Sequence, residues 1–162
     1  MAYIGGIVTG FYLFASAPGI HKKTKWQHLT GWDYAHRGLY DNEHGIPENS
    51  MAAFRRAVDK GYGIELDVHL TADNQLVVFD DDTLIRMCGM NKKISSFLYS
   101  DLMQLRLLGT EEGIPLFKDV LELIDGKVPL IIELKVDGSN QNLLCPLVWQ
   151  LLSRYKGDYC IE

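Results

Sequence analysis

The stretch Ile64-Glu65-Leu66-Asp67 sets two carboxylates two residues apart between apolar neighbours. In an extended strand, Ile64, Leu66 and Val68 face one side and Glu65, Asp67 and His69 the other. Two neighbouring anions on one face are costly unless a cation or several donors neutralise them. The pair is therefore a candidate site for a hard metal ion held by oxygen. Read alone, the same pattern also fits an exposed edge strand with a polar face. Three further apolar segments end in similar groups: one in His36 and Arg37, one in Asp80, Asp81 and Asp82, and one carrying Glu133 and Lys135 opposite Leu134 and Val136. Parallel strands bring such ends to one rim. There a histidine, an arginine, a lysine and several carboxylates could receive an anionic, metal-accompanied ligand.

The elements that must position these groups follow along the chain. Asp33 to Gly38 reads as a short strand, and Leu39 to Pro47 as a loop rich in Asn, Asp and Gly. Asn49 is the expected N-cap of a helix through Met51, Phe54, Ala57 and Val58, with Gly61 as its left-handed stop. The Ile64 strand follows. A turn at Thr71-Ala-Asp-Asn introduces a strand from Gln75 to Asp80. Ser95 or Ser100 can cap a helix through Leu102, Leu105 and Leu107, and Leu116 to Ile124 reads as another. Pro129 to Val136 is the strongest buried strand. A helix from Asn142 to Tyr155 with a leucine-rich side comes next, and Tyr159-Cys-Ile-Glu starts one more strand. This alternation predicts an α/β fold with parallel strands covered by helices, as in barrels or doubly wound sheets.

Composition narrows the function classes. The 162 residues, 47% hydrophobic and 23% charged, suit one globular domain. A net charge of -5 without a basic stripe argues against a nucleic-acid partner. Cys88, Cys145 and Cys160 lack metal-type spacing and read as thiols in a reducing compartment. Residues 1–20 carry no charge, the apolar run from Ile4 to Ala17 is almost long enough to cross a bilayer, and His21, Lys22, Lys23 and Lys25 follow. The expected organisation is a membrane anchor over 1–20, a basic and polar linker over 21–32 containing Trp26 and Trp32, and a folded domain over 33–162. The basic flank places that domain on the cytoplasmic side. A secretory signal ending at Ala15-Ser16-Ala17 and a soluble capping helix are the rivals.

Taken together, several words match one family in order and spacing. They are Ala35-His-Arg-Gly, Pro47-Glu-Asn-Ser, Ile64-Glu-Leu-Asp-Val with Thr71 and Asp73, Leu76-Val-Val-Phe-Asp-Asp-Asp-Thr-Leu with Arg86, Ile114-Pro, and Ile132-Glu-Leu-Lys. From about Tyr34 onward the chain resembles the glycerophosphodiester phosphodiesterase family. The resemblance implies a TIM (β/α)8 barrel, with about the first four βα units and the start of strand five present here. It implies hydrolysis of glycerophosphodiesters such as glycerophosphocholine to glycerol 3-phosphate and an alcohol, with a divalent cation, Ca or Mg. Residue by residue, it makes Glu65, Asp67 and Glu133 metal ligands, His36 an acid-base histidine, and Arg37 and Lys135 phosphate-contacting cations. Glu48 is either a rim residue near the substrate or a helix-start acid, while His44 and His69 receive no catalytic role.

Two departures qualify that expectation. Asp80 stands where the family pattern carries its second histidine, and an Asp with a pKa near ~4 has no proton to give a departing alkoxide at neutral pH. Asp80 is expected to weaken the enzyme severely or to serve as an extra metal ligand. A full eightfold barrel also needs roughly 200 residues or more, so the chain reads as a fragment whose open edge invites self-association. The alternatives are a non-catalytic, membrane-tethered phosphate-binding module and a barrel phosphodiesterase that forms a cyclic phosphate.

Overall fold

The computed structural model describes residues 27–162, so the anchor expected over 1–20 and the first half of the linker, 21–26, lie outside the described residues. Among the described residues, no helix is long and apolar enough to cross a membrane.

The elements run β1 (Tyr34–His36), α1 (Met51–Lys60), β2 (Gly63–Leu70), β3 (Leu76–Val78), α2 (Ile85–Cys88), α3 (Tyr99–Leu102), α4 (Phe117–Ile124), β4 (Leu130–Leu134), α5 (Gln141–Leu152) and β5 (Tyr159–Ile161). The sheet order is β1-β2-β4-β5, all parallel, with β3 paired antiparallel to β2. Val68 pairs with Val78 on one edge and Leu134 on the other, so β3 continues the β1 side of the sheet beyond β1. This corrects the strand count. The segment from Gln75 to Asp80 is not a parallel barrel strand, and the parallel set is three βα units plus β5. The physical reason is loop length: only residues 71–75 separate β2 from β3. So short a link can close a hairpin but not a crossover. Thr71 Oγ1 fastens the turn by donating to Asp73 Oδ1 at 2.6 Å and accepting from the Gln75 N–H at 2.9 Å.

All eight residues of β2 are buried. Its apolar set, Ile64, Leu66, Val68 and Leu70, joins Leu130 and Ile132 of β4, Phe54 and Ala57 of α1, Phe117 and Val120 of α4, and Leu144 and Val148 of α5 in the main core. A second, smaller core lies under the segment between β3 and α4 and contains Val77, Phe79, Leu84, Met87, Ile94, Leu102, Leu107 and Ile114. The helix expected through Leu102 to Leu107 is absent. Short turns replace it, with Leu108 at a left-handed φ of 51° and Met103 exposed. Apolar residues there serve the small core singly and do not form one continuous helical stripe.

The start of α1 also differs from the expectation. Ser50, not Asn49, is the N-cap, its Oγ accepting the Ala53 N–H at 3.1 Å. Asn49 has φ 52° and its side chain is turned into the sheet, where it is needed elsewhere. At the other end Gly61 supplies the expected left-handed stop. Gly38 is required for a different reason: at φ 80°, a Cβ there would lie 3.0 Å from Ala53 and Phe54 atoms, so a side chain would push α1 off β1.

Candidate active site

The register of the parallel strands assembles the polar residues. His36 is opposite Glu65 and Asp67 is opposite Glu133, with Lys135 one residue beyond the end of β4. Because Ile64, Leu66, Leu130 and Ile132 occupy the main core, the alternating positions Glu65, Asp67 and Glu133 share the other face. One carboxylate oxygen from each of these three acids lies within 4.8 Å of the other two. The set offers oxygen donors only, which suits a hard divalent cation. Asp67 is 1% exposed, and its Oδ1 is paired with Lys135 Nζ at 3.0 Å. A buried carboxylate flanked by two further acids is a fitting place for such an ion. Burial, followed by the charge of Asp67, raises the pKa of Glu65; burial raises that of Asp67. Crowded anions shielded from solvent behave this way.

Two cations border the acids. Arg37 takes φ 58° directly after β1, which directs its N–H to Glu65 Oε2 at 3.0 Å. Its guanidinium reaches Glu48 Oε1 and Asp80 Oδ2, both at 2.9 Å, and approaches Asp67 Oδ2 at 3.8 Å. Lys135 Nζ lies 2.7 Å from Glu133, 3.0 Å from Asp67 and 3.0 Å from Asp80. Despite partial burial, these three partners hold the Lys135 ammonium well above the ordinary lysine range. His36 stands at the mouth, its side chain 65% exposed and Nε2 3.7 Å from Glu65 Oε2.

Asp80 faces the same space from the end of β3. Burial alone would raise its pKa, but the hydrogen bond and charge of Lys135 and the charge of Arg37 outweigh that and lower it. It is therefore a carboxylate, not a proton donor. His69, buried on the same face of β2, has Nε2 3.2 Å from the Asp80 carbonyl oxygen, so that nitrogen must carry the proton. Burial keeps the His69 imidazole below the usual histidine range, in its neutral form. The ring thus holds the backbone of Asp80.

All seven residues singled out from the sequence, His36, Arg37, Glu65, Asp67, Asp80, Glu133 and Lys135, meet around one space. Asn49, expected only as a helix cap, and Glu48 also belong to it. Asn49 Nδ2 donates to Asp67 Oδ2 at 2.9 Å. Buried Glu48 is gripped by Arg37, by two Arg86 hydrogen bonds of 2.7 and 3.0 Å, and by Asn42 Nδ2 at 3.3 Å. Hydrogen bonds from Arg86 and Arg37 outweigh its burial and keep its pKa below the ordinary glutamate value. These contacts make Glu48 a brace for Arg37, a role beyond the two expected from the sequence. Arg86 also pairs with Asp81 at 2.8 Å. His44 is remote in function, exposed and paired with Asp41.

A parallel sheet whose strands end in acids and bases at one rim defines an α/β domain, and its likeness to solved phosphodiesterases places it in the TIM-barrel class. The chain belongs to the glycerophosphoryl diester phosphodiesterase family, whose sequence model matches residues 36–153. It is 31% identical to a lysophospholipase D of Rattus norvegicus over 98% of this chain and 52% of the relative. It is 36% identical to a glycerophosphodiester phosphodiesterase of Bacillus altitudinis over 65% of this chain and 45% of the relative. Among solved structures, an Oleispira antarctica phosphodiesterase in complex with the product sn-glycerol-3-phosphate superimposes with a TM-score of 0.72 at 26% identity, covering 82% of this chain and 56% of the other. The chain thus spans about half the length of the curated relatives it matches.

Proposed function

We propose that this site belongs to a metal-dependent phosphodiesterase that releases glycerol 3-phosphate from glycerophosphodiesters such as glycerophosphocholine. The observation that carries the reading is the oxygen cluster of Glu65, Asp67 and Glu133, flanked by Arg37 and Lys135. A Ca or Mg ion held by these acids would supply charge neutralisation at the phosphoryl group. Arg37 and Lys135 would each direct an N–H at the non-bridging oxygens, which develop charge during displacement. His36 Nε2, open to solvent at the mouth, would hold or move the proton. Asp80 has none to deliver to the departing alkoxide, and general acid-base help is worth about 10²–10⁴ in rate. Turnover is expected to be weakened by roughly that factor.

The identity to a lysophospholipase D and the glycerol-3-phosphate complex of a structural relative support a lipid-derived substrate. A non-catalytic phosphate-binding role is the second reading, and the ionised Asp80 favours it. A cyclic phosphate product would indicate the third. Attachment to the cytoplasmic face of a membrane rests on the apolar run over 1–20 and the basic residues after it. The test is release of glycerol 3-phosphate from glycerophosphocholine with Ca, with Mg and with a chelator, in detergent. Slow turnover that the chelator abolishes supports the enzyme reading. Turnover insensitive to chelation, and retained by Asp67→Asn, contradicts it.

A further inference from the structure

We propose that Asp80 is a built-in anion that occupies the phosphate seat of this site, so that a phosphate ligand binds only by displacing it. The proposal rests on reading Arg37 and Lys135 as the phosphate-contacting cations. The two oxygens of Asp80 divide between them: Oδ2 lies 2.9 Å from Arg37 Nη1 and Oδ1 lies 3.0 Å from Lys135 Nζ. A phosphoryl group would present two non-bridging oxygens to the same pair of donors. Arg86 Nη2 approaches the same Oδ2 at 3.7 Å, adding to the hold.

The backbone is fixed behind this contact. The Phe79 N–H bonds the Asp67 carbonyl at 3.0 Å, and His69 holds the Asp80 carbonyl. The carboxylate side chain remains 15% exposed, at the open side of the cluster. Asp80 is thus pinned by its main chain, while its carboxylate is the part free to turn outward.

Charge balance points the same way. Glu65, Asp67, Asp80 and Glu133 surround Arg37 and Lys135, an excess of two negative charges. One divalent cation cancels that excess and leaves nothing to attract a phosphodiester anion. With a neutral side chain at position 80, the same cation would leave one positive charge, complementary to a phosphodiester. The residue at position 80 therefore sets whether the site takes a cation alone or a cation with an anionic ester.

The experiment is titration calorimetry of the full chain in detergent with sn-glycerol 3-phosphate and excess Mg. It compares the native protein, Asp80→Asn, Asp80→Ala and the double variant Asp80→Ala with Lys135→Met. Asp80→Asn keeps the shape of the side chain, so it reports on charge even where Asp80→Ala loosens the fold. Both single variants are expected to bind at least about tenfold more tightly than the native chain, and the double variant to lose that gain. Equal measurable affinity of the native and single-variant proteins overturns the proposal while leaving the phosphate reading of the site intact. Absence of binding by any of the folded proteins overturns both.

Discussion

The two sides of the candidate site are built on different principles. The sheet side, with Glu65, Asp67 and Glu133, is fixed by strand register over the large core. The other side, with Asp80 and Arg86, comes from the excursion between β2 and α4 and rests on a separate small core plus ion pairs. Register is cooperative: slipping β4 by one residue would turn Glu133 away and bury a core leucine on the wrong face. Ion pairs with partly exposed partners are individually replaceable. The proposed metal ligands accordingly lie on the sheet side, while Asp80 belongs to the excursion.

The largest effect expected from breaking this asymmetry is in the main core. Ile132→Ala, at a fully buried position of β4, should cost about 2–5 kcal/mol and unfold both sides together in urea. Leu102→Ala in the small core is expected to cost less and to raise hydrogen exchange mainly within residues 80–116. Equal, global loosening by both variants would contradict the distinction.

Glu48 joins the two sides, because it holds Arg37 after β1 and Arg86 in α2. Glu48→Leu removes a buried charge that both arginines face and should cost about 3 kcal/mol. Its depressed pKa also has a signed consequence. Its contribution to stability is full above the unfolded value near 4.5 and is lost as the pH falls toward the lower folded value. The drop in Tm across that acid window should therefore be shallower in Glu48→Gln than in the native chain. Identical acid profiles would show that Glu48 does not couple the sides.

Two smaller changes sharpen the comparison. Ser50→Ala should cost about 1 kcal/mol through loss of the α1 cap, without altering cation binding. Asp67→Asn should do the reverse. Burial raises the pKa of Asp67, so removing its charge should change the stability of the metal-free fold less than it changes cation binding. The variant should also lose the rise in Tm that Ca or Mg gives the native protein. Retention of that rise would remove Asp67 from the metal ligands.

The same asymmetry separates what was legible in the sequence from what was not. Alternation along Ile64 to His69 and Leu130 to Lys135 is a local pattern, and it sufficed to put the acids on one face. The direction of β3 is legible too, in the five-residue link after Leu70, which outweighs the parallel-like composition of the strand. The excursion offered no period to read, because Leu102, Leu107 and Ile114 reach its core from separate turns. Asn49 looked like a helix cap since Asn is a good one. Its hydrogen bond to Asp67, eighteen residues away, is a tertiary contact that no local rule supplies. The grip of Arg86 on Glu48 spans thirty-eight residues and was equally out of reach.

The most direct measurement is glycerol 3-phosphate release from glycerophosphocholine, in Mg and detergent, by the native chain and by Asp80→His. An intact sheet side with an altered excursion predicts that the variant turns over about 10²–10⁴ faster than the native chain, in a chelator-sensitive manner. Equal rates in the two proteins, with both folded, would show that Asp80 is not the defect and would contradict the division of the site drawn above.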